Sequence, residues 1–145
     1  MTWRKRILET AGLEAALREI ATPSMSPTIR PGDTIRFRRN RRSPHPGEIW
    51  VFHRGPQHIV HRILWVRPDG SALFKGDACH RTDGFIPRRQ LFGPVSEIRR
   101  GDRWRPANRR RDRLLGLTYS LTRTAAYLAA RRIFRLGKRL AARVE

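Results

Sequence analysis

The sequence predicts a mainly β fold, in which a compact antiparallel β core is preceded by one helix and followed by a long basic helix. Two observations lead to this prediction. Short apolar runs in the middle of the chain alternate with turn signals rich in Pro, Gly and Asp. Apolar residues near both ends recur instead at the three-to-four spacing of a helix. A chain of 145 residues fits one domain with a modest core.

The N-terminal segment, residues 1–21, has the period of an amphipathic helix. Its apolar residues, interspersed with charges, are Trp3, Ile7, Ala11, Leu17 and Ile20. The segment is too charged for a transmembrane anchor. It also lacks the apolar core and the small-residue cleavage site of a secretory signal peptide. We therefore expect a helix over residues 2–21, in a protein that is cytoplasmic or peripherally associated with a membrane.

The central segment, residues 22–100, carries the predicted strands. Apolar runs predict five of them, at residues 34–38, 48–53, 58–66, 72–75 and 91–98. Turn residues separate them at 44–47, 68–71 and 83–84, and the second of these turns predicts a hairpin. The strands therefore follow one another closely enough to form an antiparallel sheet.

The C-terminal segment, residues 101–145, is basic and helical in period. Its apolar side comprises Leu114, Leu115, Leu117, Leu121, Ala125, Leu128, Ala129, Ile133, Phe134, Leu136 and Leu140. The run 114–130 approaches spanning length, but the charge of Arg123 near its middle costs roughly 2.5–3.5 kcal/mol. We expect an interfacial amphipathic helix on an anionic membrane surface. The alternatives are a helix packed on the domain with its charges solvated, and a marginal transmembrane or re-entrant segment.

The charge balance bounds the partners of the protein. Lys and Arg total 32 against 12 Asp and Glu, which gives a net charge of +20. Anionic lipid, nucleic acid and acidic peptides are all attracted to such a surface. No helix-turn-helix, zinc finger or stacking platform is visible, so we do not expect a nucleic-acid partner. Cys79 is the one cysteine, which rules out an intramolecular disulfide and a zinc-type Cys/His cluster. We expect no metal and no other cofactor.

A proline-rich turn at residues 22–33 contains the candidate nucleophile. Prolines stiffen the backbone around Ser24, and a nucleophilic serine requires a rigid support of this kind. Ser26 is better explained as the cap of a short helix that starts at Pro27.

A serine hydroxyl attacks only when a neighbouring base takes its proton, and histidine is suited to that task. Side chains on a strand alternate between faces. On a strand over residues 57–66, His61 therefore shares an apolar face with Ile59, Ile63 and Trp65.

Four motifs in one order resemble those of signal peptidase I and its relatives. They are Ser24-Met25-Ser26-Pro27-Thr28 with Gly32-Asp33, Pro46-Gly47-Glu48-Ile49-Trp50-Val51-Phe52, Ile59-Val60-His61-Arg62-Ile63, and Lys75-Gly76-Asp77-Ala78 followed by Asp83. The resemblance covers residues 22–95. The chain departs from the family pattern at Glu48, where the family has Asp, and at Cys79, where the family has Asn. It implies the coiled β architecture shared with the SOS-repressor peptidases. It also implies a serine endopeptidase that cuts after small residues in an extended leader, signal or pro-segment of a peptide or preprotein.

The branch of the family determines the base. Common bacterial members use a Ser-Lys dyad, but the lysines of this chain are Lys5, Lys75 and Lys138, and none stands directly before Arg62. His61 does, as in the endoplasmic-reticulum and archaeal branch. By resemblance, Ser24 is the nucleophile and His61 is the general base.

Two further roles follow from the same resemblance. A histidine base needs a group that fixes its tautomer, and Asp77 and Asp83 are the available carboxylates. Asp83 is the preferred orienting group, with Asp77 supporting the turn, but the choice stays open. The amide of Ser24 and the hydroxyl of Thr22 are the candidate oxyanion donors. The rival interpretation is a catalytically inactive basic module on a peptidase scaffold that binds membranes or nucleic acids.

Overall fold

The computed structural model describes residues 7–8 and 15–141, and the side chains of residues 16–135. Within that part of the chain, nine antiparallel strands form one curled sheet, a half-barrel, and one α-helix follows them. The predicted mainly β fold with a long basic C-terminal helix is therefore confirmed.

The elements follow one another closely along the chain. The strands are β1 Ile7–Leu8, β2 Ala15–Glu19, β3 Thr34–Arg38, β4 Ile49–Arg54, β5 Gln57–Val66, β6 Ala72–Lys75, β7 Gly84–Ile86, β8 Leu91–Arg100 and β9 Arg103–Pro106. The helix α1 is Arg110–Ala141, and short 3₁₀ turns lie at Pro23–Met25 and Arg88–Gln90. The sheet order is β1-β2-β3-β8-β4-β5-β6-β7, with β9 paired to β8. The five predicted strands are confirmed as β3, β4, β5, β6 and β8.

The helix expected over residues 2–21 is wrong wherever the structure describes that segment. Ile7–Leu8 and Ala15–Glu19 are strands, while residues 2–6 and 9–14 of the prediction lie outside the described part. β2 pairs with β3 along its whole length, and Ile20 is buried in the core. Short helices are marginal on their own, so pairing with the edge of β3 overrides the helical period. The sheet also continues past residue 100, because β9 pairs with β8.

The sheet curls because β8 is shared between two sets of neighbours. Its first half pairs with β4 and its second half with β3 and β9. Register shifts in three strand pairs add local bends. β4 buries both of its faces, and the two faces belong to two clusters. The first core cluster is Ile20, Met25, Ile29, Ile35, Phe37, Ile49, Val51, Val60, Val95 and Ile98. The second core cluster is Trp50, Phe52, Ile63, Ala72, Phe74, Ile86 and Leu91.

The apolar face predicted for β5 ends earlier than expected. Ile59 and Ile63 contact the second core cluster, but Trp65 is 61% exposed. The pairing with β6 shifts register between Ile63 and Trp65, and one extra residue reverses the alternation of side chains. Val66 therefore packs against the cluster in place of Trp65.

Two residues fix the start of α1 against the sheet. The Asn108 side chain accepts a hydrogen bond from the Ile49 amide (2.6 Å) and donates to the carbonyls of Ile49 (3.0 Å) and Val95 (2.9 Å). Gly47 has a φ of 85°, and a Cβ there would lie 2.9 Å from the Arg113 carbonyl oxygen. Only glycine satisfies both the backbone conformation and the close approach.

The face of α1 that packs on the sheet is small and polar. Gly116 and Ser120, four residues apart, are its buried members. Leu114, Leu121 and Leu128 are exposed. The packed-helix alternative therefore holds for the first turns, but the predicted apolar side does not face the domain. Among the described residues, no helix is long and apolar enough to cross a membrane.

Candidate active site

Ser24 lies in the middle of the 3₁₀ turn Pro23–Met25, which the core anchors from one side. Met25 is buried in the first core cluster, and its carbonyl accepts a hydrogen bond from the Ile29 amide at 3.0 Å. The turn itself is closed by the Ser26 amide, which donates to the Pro23 carbonyl at 2.9 Å. With Met25 pointing into the core, Ser24 faces a surface pocket of about 540 Å³. The predicted rigid support for this serine is present.

His61 comes from the middle of β5 and contacts Ser24. Its Nε2 lies 3.1 Å from the Ser24 Oγ, within hydrogen-bond reach. The residue pairs with Trp50 across the β4–β5 ladder, and its ring lies 6.3 Å, between centroids, from that of buried Phe52. A central strand and a packed aromatic ring therefore hold the imidazole in place.

Asp83 is the carboxylate that contacts the imidazole. Its Oδ2 lies 2.6 Å from the His61 Nδ1. Its own amide donates to the Phe74 carbonyl at 2.7 Å, which fixes the residue beside β6. Arg54, at the end of β4, donates to the Asp83 carbonyl (3.0 Å) and places a second guanidinium nitrogen 3.6 Å from Oδ1. Of the two aspartates between which the sequence left the choice open, Asp83 is the one that contacts His61.

Asp77 has a different environment and different contacts. It is fully buried and accepts hydrogen bonds from the Arg62 Nε (2.8 Å) and Nη2 (2.7 Å), and from the Thr28 hydroxyl (2.6 Å). None of its hydrogen bonds within the described part of the chain reaches His61. Arg62 also donates to the Gly47 carbonyl at 2.7 Å. Asp77 therefore joins Arg62 to Thr28 in the segment that carries Ser24, and its hydrogen bonds do not include the imidazole.

Gly76 allows the segment before Asp77 to approach Ser24 and His61 closely. A Cβ at this position would lie 2.5 Å from the Ser24 carbonyl oxygen and 2.8 Å from the His61 Nε2. Two residues later, the Ala78 amide donates to the same Ser24 carbonyl at 2.9 Å. Backbone contacts, which only a glycine permits, therefore clamp the Ser24 turn against this segment.

Thr22 stands where the sequence placed an oxyanion donor. Its backbone is extended and precedes the 3₁₀ turn, and its hydroxyl oxygen lies 3.3 Å from the Ser24 Oγ. Both residues line the same pocket. The hydroxyl is thus next to the atom that would attack a scissile carbonyl. The negative charge of the transition state develops on the oxygen of that carbonyl, so a donor near the point of attack is within reach of it.

Lys75 is buried beside the site but has other partners. Its Nζ donates to the Ser120 hydroxyl (2.8 Å), the Ser120 carbonyl (3.1 Å) and the Gly76 carbonyl (3.3 Å). Burial lowers the pKa of Lys75 below its ordinary value. Its hydrogen bonds do not reach Ser24, so the geometry agrees with histidine and not lysine as the partner of Ser24.

Cys79 lines the pocket and is half-buried. Burial, with a further contribution from Asp83, raises the pKa of the Cys79 thiol. A thiol with a raised pKa is a poor nucleophile at neutral pH. The predicted role as a small packed residue fits this environment.

Four functional neighbours were not found by sequence reasoning. Arg54 and Arg62 bind the two aspartates, while Tyr119 and Arg123 line the pocket from α1. The spacing of Tyr119 and Arg123 places them on one side of the helix, but no sequence signal shows where that side lies.

Compared with known proteins, the chain matches no family model and no curated protein. The function therefore has to be argued from the residues and from the geometry of the site.

Proposed function

We propose that this chain is a serine endopeptidase in which Ser24, His61 and Asp83 form a catalytic triad. One observation carries the proposal. Two hydrogen bonds, of 3.1 and 2.6 Å, connect the Ser24 hydroxyl through both ring nitrogens of His61 to the Asp83 carboxylate. These side chains come from three separate segments, and this arrangement is the one that activates a serine.

The reaction follows from the contacts. His61 Nε2 accepts the Ser24 proton while Oγ attacks the scissile carbonyl carbon. The tetrahedral intermediate collapses, the leaving amine takes the proton from His61, and an acyl-enzyme remains. Water then attacks the ester with His61 again as the base. The bond between the acyl carbon and Ser24 Oγ breaks, His61 returns the proton to Oγ, and the carboxylic acid product leaves. Asp83 accepts the Nδ1 hydrogen bond throughout, which fixes the tautomer and stabilises the imidazolium.

Oxyanion stabilisation is assigned to the Thr22 hydroxyl and the Ser24 amide. The Thr22 hydroxyl oxygen is 3.3 Å from the attacking Ser24 Oγ. Pro23, which lies between the two residues, has no N–H and cannot act as a backbone donor. Each donor of this kind is typically worth about 2.7–4 kcal/mol of transition-state stabilisation.

The substrate is an extended peptide with a small residue before the cut. Short or rigid side chains line the pocket beside Ser24, namely Thr22, Pro23, Pro27 and Ala78. The expected small substrate residue at the scissile bond comes from the motif resemblance, because short lining side chains alone leave room and do not select against bulk. A leader, signal or pro-segment of a preprotein supplies such residues in an accessible chain.

The rival function is a catalytically inactive basic module that binds membranes or nucleic acids. Binding by such a module does not require a serine in hydrogen-bond contact with an oriented imidazole. The two functions therefore predict different effects of removing the Ser24 hydroxyl.

The test is cleavage of peptides that carry a small residue at each candidate position, followed by mass spectrometry. Ser24→Ala should lower kcat/KM by about ten-thousand-fold or more. Ser26→Ala, which removes the hydroxyl of the second serine in the same segment, should retain cleavage to within a few-fold. Equal turnover by the wild type and by Ser24→Ala would remove Ser24 from the mechanism and favour the inactive module.

We also propose that α1 binds an anionic membrane surface. Leu114, Leu121 and Leu128 are spaced seven residues apart, so they form one exposed stripe on the side of α1 away from Gly116. Exposed arginines on the same helix are Arg110, Arg111, Arg123, Arg131, Arg132 and Arg135. An apolar stripe with arginines around it matches an anionic headgroup layer over hydrocarbon, and each nearby basic residue contributes about 1 kcal/mol.

Vesicle co-sedimentation tests this partner. The wild type should bind vesicles of phosphatidylglycerol and phosphatidylcholine, and should bind pure phosphatidylcholine weakly. Leu128→Glu should reduce binding, whereas Ala130→Glu, an equal charge change about 200° around the helix, should reduce it less. Equal losses in the two variants would rule out the stripe, and concentration-dependent dimerisation through it would identify a second copy as its partner.

A further inference from the structure

Helix α1 forms one wall of the candidate active site. Tyr119 and Arg123 line the pocket that Ser24 faces. One turn further on, the Tyr127 ring stacks on His80, with centroids 4.3 Å apart and planes inclined by 11°. His80 belongs to the segment between Asp77 and Asp83. The helix therefore covers the loop that carries both aspartates, and presents side chains at four-residue intervals to the site.

The position of this wall is fixed by buried contacts. Ser120 lies between Tyr119 and Arg123 in the sequence. It is fully buried, and its hydroxyl accepts a hydrogen bond from Lys75 at 2.8 Å. One turn earlier, a Cβ at Gly116 would lie 2.2 Å from the Arg62 Cζ, so the helix approaches the sheet as closely as the backbone allows. Tyr119 and Arg123 are consequently presented to the pocket by a rigid element.

Arg123 gives this pocket its charge. Among the described residues, it is the one charged side chain that lines the pocket. Its Nη1 donates to the Tyr119 hydroxyl at 3.3 Å, and none of the ion pairs within residues 16–135 includes it. The guanidinium thus contacts Tyr119, and Arg123 is an exposed residue in the lining of the pocket.

We infer that Arg123 is a specificity residue that selects peptides with an acidic side chain close to the scissile bond. This inference rests on the proposed peptidase function and specifies its substrate class. A guanidinium matches a carboxylate with two parallel hydrogen bonds. The Tyr119 hydroxyl, bonded to the same guanidinium, is a second polar group at that end of the pocket. The net charge of the chain, +20, also draws acidic peptides towards the site.

The test uses amidated peptides that share one cleavable sequence and carry Glu, Gln or Lys at one scanned position. Cleavage is measured with the wild type, Arg123→Glu and the matched control Arg132→Glu. Arg132 is nine residues further along, on the opposite side of α1, and has the same charge. Binding of the same peptides to Ser24→Ala, with and without Arg123→Glu, is measured by fluorescence anisotropy. A second arm replaces the C-terminal amide with the free acid.

At the contacting position, wild-type kcat/KM should favour the Glu peptide over the Lys peptide about ten-fold. Arg123→Glu should reverse that preference, and Arg132→Glu should leave it unchanged. Ser24-dependent cleavage with the same preference in the wild type and in Arg123→Glu overturns the inference and leaves the peptidase proposal intact. A preference seen only with the free C-terminal acid overturns the assignment to an acidic side chain.

Absence of Ser24-dependent cleavage in every peptide would instead remove the peptidase proposal. The inference is then decided by the binding arm. Charge-selective binding that Arg123→Glu reverses supports an acidic peptide ligand, and undetectable or charge-independent binding overturns it.

Discussion

Two aspartates six residues apart have different tasks because their surroundings differ. Asp83 is partly accessible and contacts the imidazole, which makes it part of the proposed triad. Asp77 is fully buried and paired with Arg62 in a bidentate ion pair. Removing one partner of a buried pair leaves the other charge uncompensated. The loss of Asp83 should therefore affect chemistry, and the loss of Asp77 should affect folding.

We predict that Asp83→Asn lowers kcat/KM by about 10²–10⁴-fold while changing the free energy of unfolding little, because the amide favours the wrong imidazole tautomer. Asp77→Asn should lower the free energy of unfolding by about 3–5 kcal/mol. Peptide cleavage and urea unfolding of both variants check the two effects. The reverse pattern, with Asp77→Asn stable and inactive, would move the orienting role to Asp77.

At the scale of elements, α1 is joined to the sheet by polar contacts. The Lys75 ammonium, whose pKa burial lowers, depends on the hydroxyl and carbonyl of Ser120. The contact joins the end of β6 to the middle of the pocket wall. Leu114, Leu121 and Leu128 face away from the domain, so these polar contacts and the stacking of Tyr127 on His80 carry much of the docking.

We predict that Ser120→Ala lowers the free energy of unfolding by about 1–3 kcal/mol, because it removes a buried acceptor of a charged donor. Thr118→Ala is the matched control, since the Thr118 hydroxyl is exposed and bonds to the Leu114 carbonyl of its own helix. Its effect should stay within about 0.5 kcal/mol. Equal effects of the two substitutions, measured by urea unfolding, would show that the Lys75 contact does not hold α1.

At the scale of the whole molecule, buried carboxylates set the response to acid. Burial by itself raises the pKa of Glu48, but hydrogen bonds from Arg42 and Trp50 outweigh it and hold that pKa below its ordinary value. Burial likewise opposes the Arg100 hydrogen bonds that hold the pKa of Asp33 below its ordinary value. The unfolded chain therefore binds protons more readily at these groups. The stabilisation that these two carboxylates contribute is present above their unfolded pKa values, about 4.3 for Glu48 and about 3.9 for Asp33. It is lost as the pH falls through the lower pKa values of the folded state.

We predict that the free energy of unfolding decreases as the pH falls below about 4.5, and that Glu48→Gln flattens this dependence. Urea unfolding at a series of pH values measures both slopes. A slope that Glu48→Gln leaves unchanged would show that Glu48 does not contribute.

Features that depend on neighbouring residues could be predicted from the sequence. Features that depend on contacts with distant parts of the chain could not. The strand limits of β3 and β6 were predicted residue by residue, because alternation and turn residues act within a few positions. Ser24, His61 and Asp83 were identified by the order of short motifs. The strand at Ala15–Glu19 was missed because its pattern also fits a helix, and the edge of β3 decides between the two.

The pocket wall could not be predicted for a similar reason. Arg123 looked like a costly charge within an apolar run, and its place beside Ser24 depends on contacts such as Lys75 with Ser120, 45 residues apart. The burial of Arg62 likewise depends on Asp77 and on the close approach of Gly116.

The most direct measurement of the central claim is the site of covalent labelling by a fluorophosphonate, which reacts with activated serines. After digestion, mass spectrometry of the wild type should place the adduct on Ser24, and the label should be lost in Ser24→Ala and in His61→Ala. An unlabelled wild type, or an adduct on Ser26 that survives both substitutions, would contradict the proposed triad.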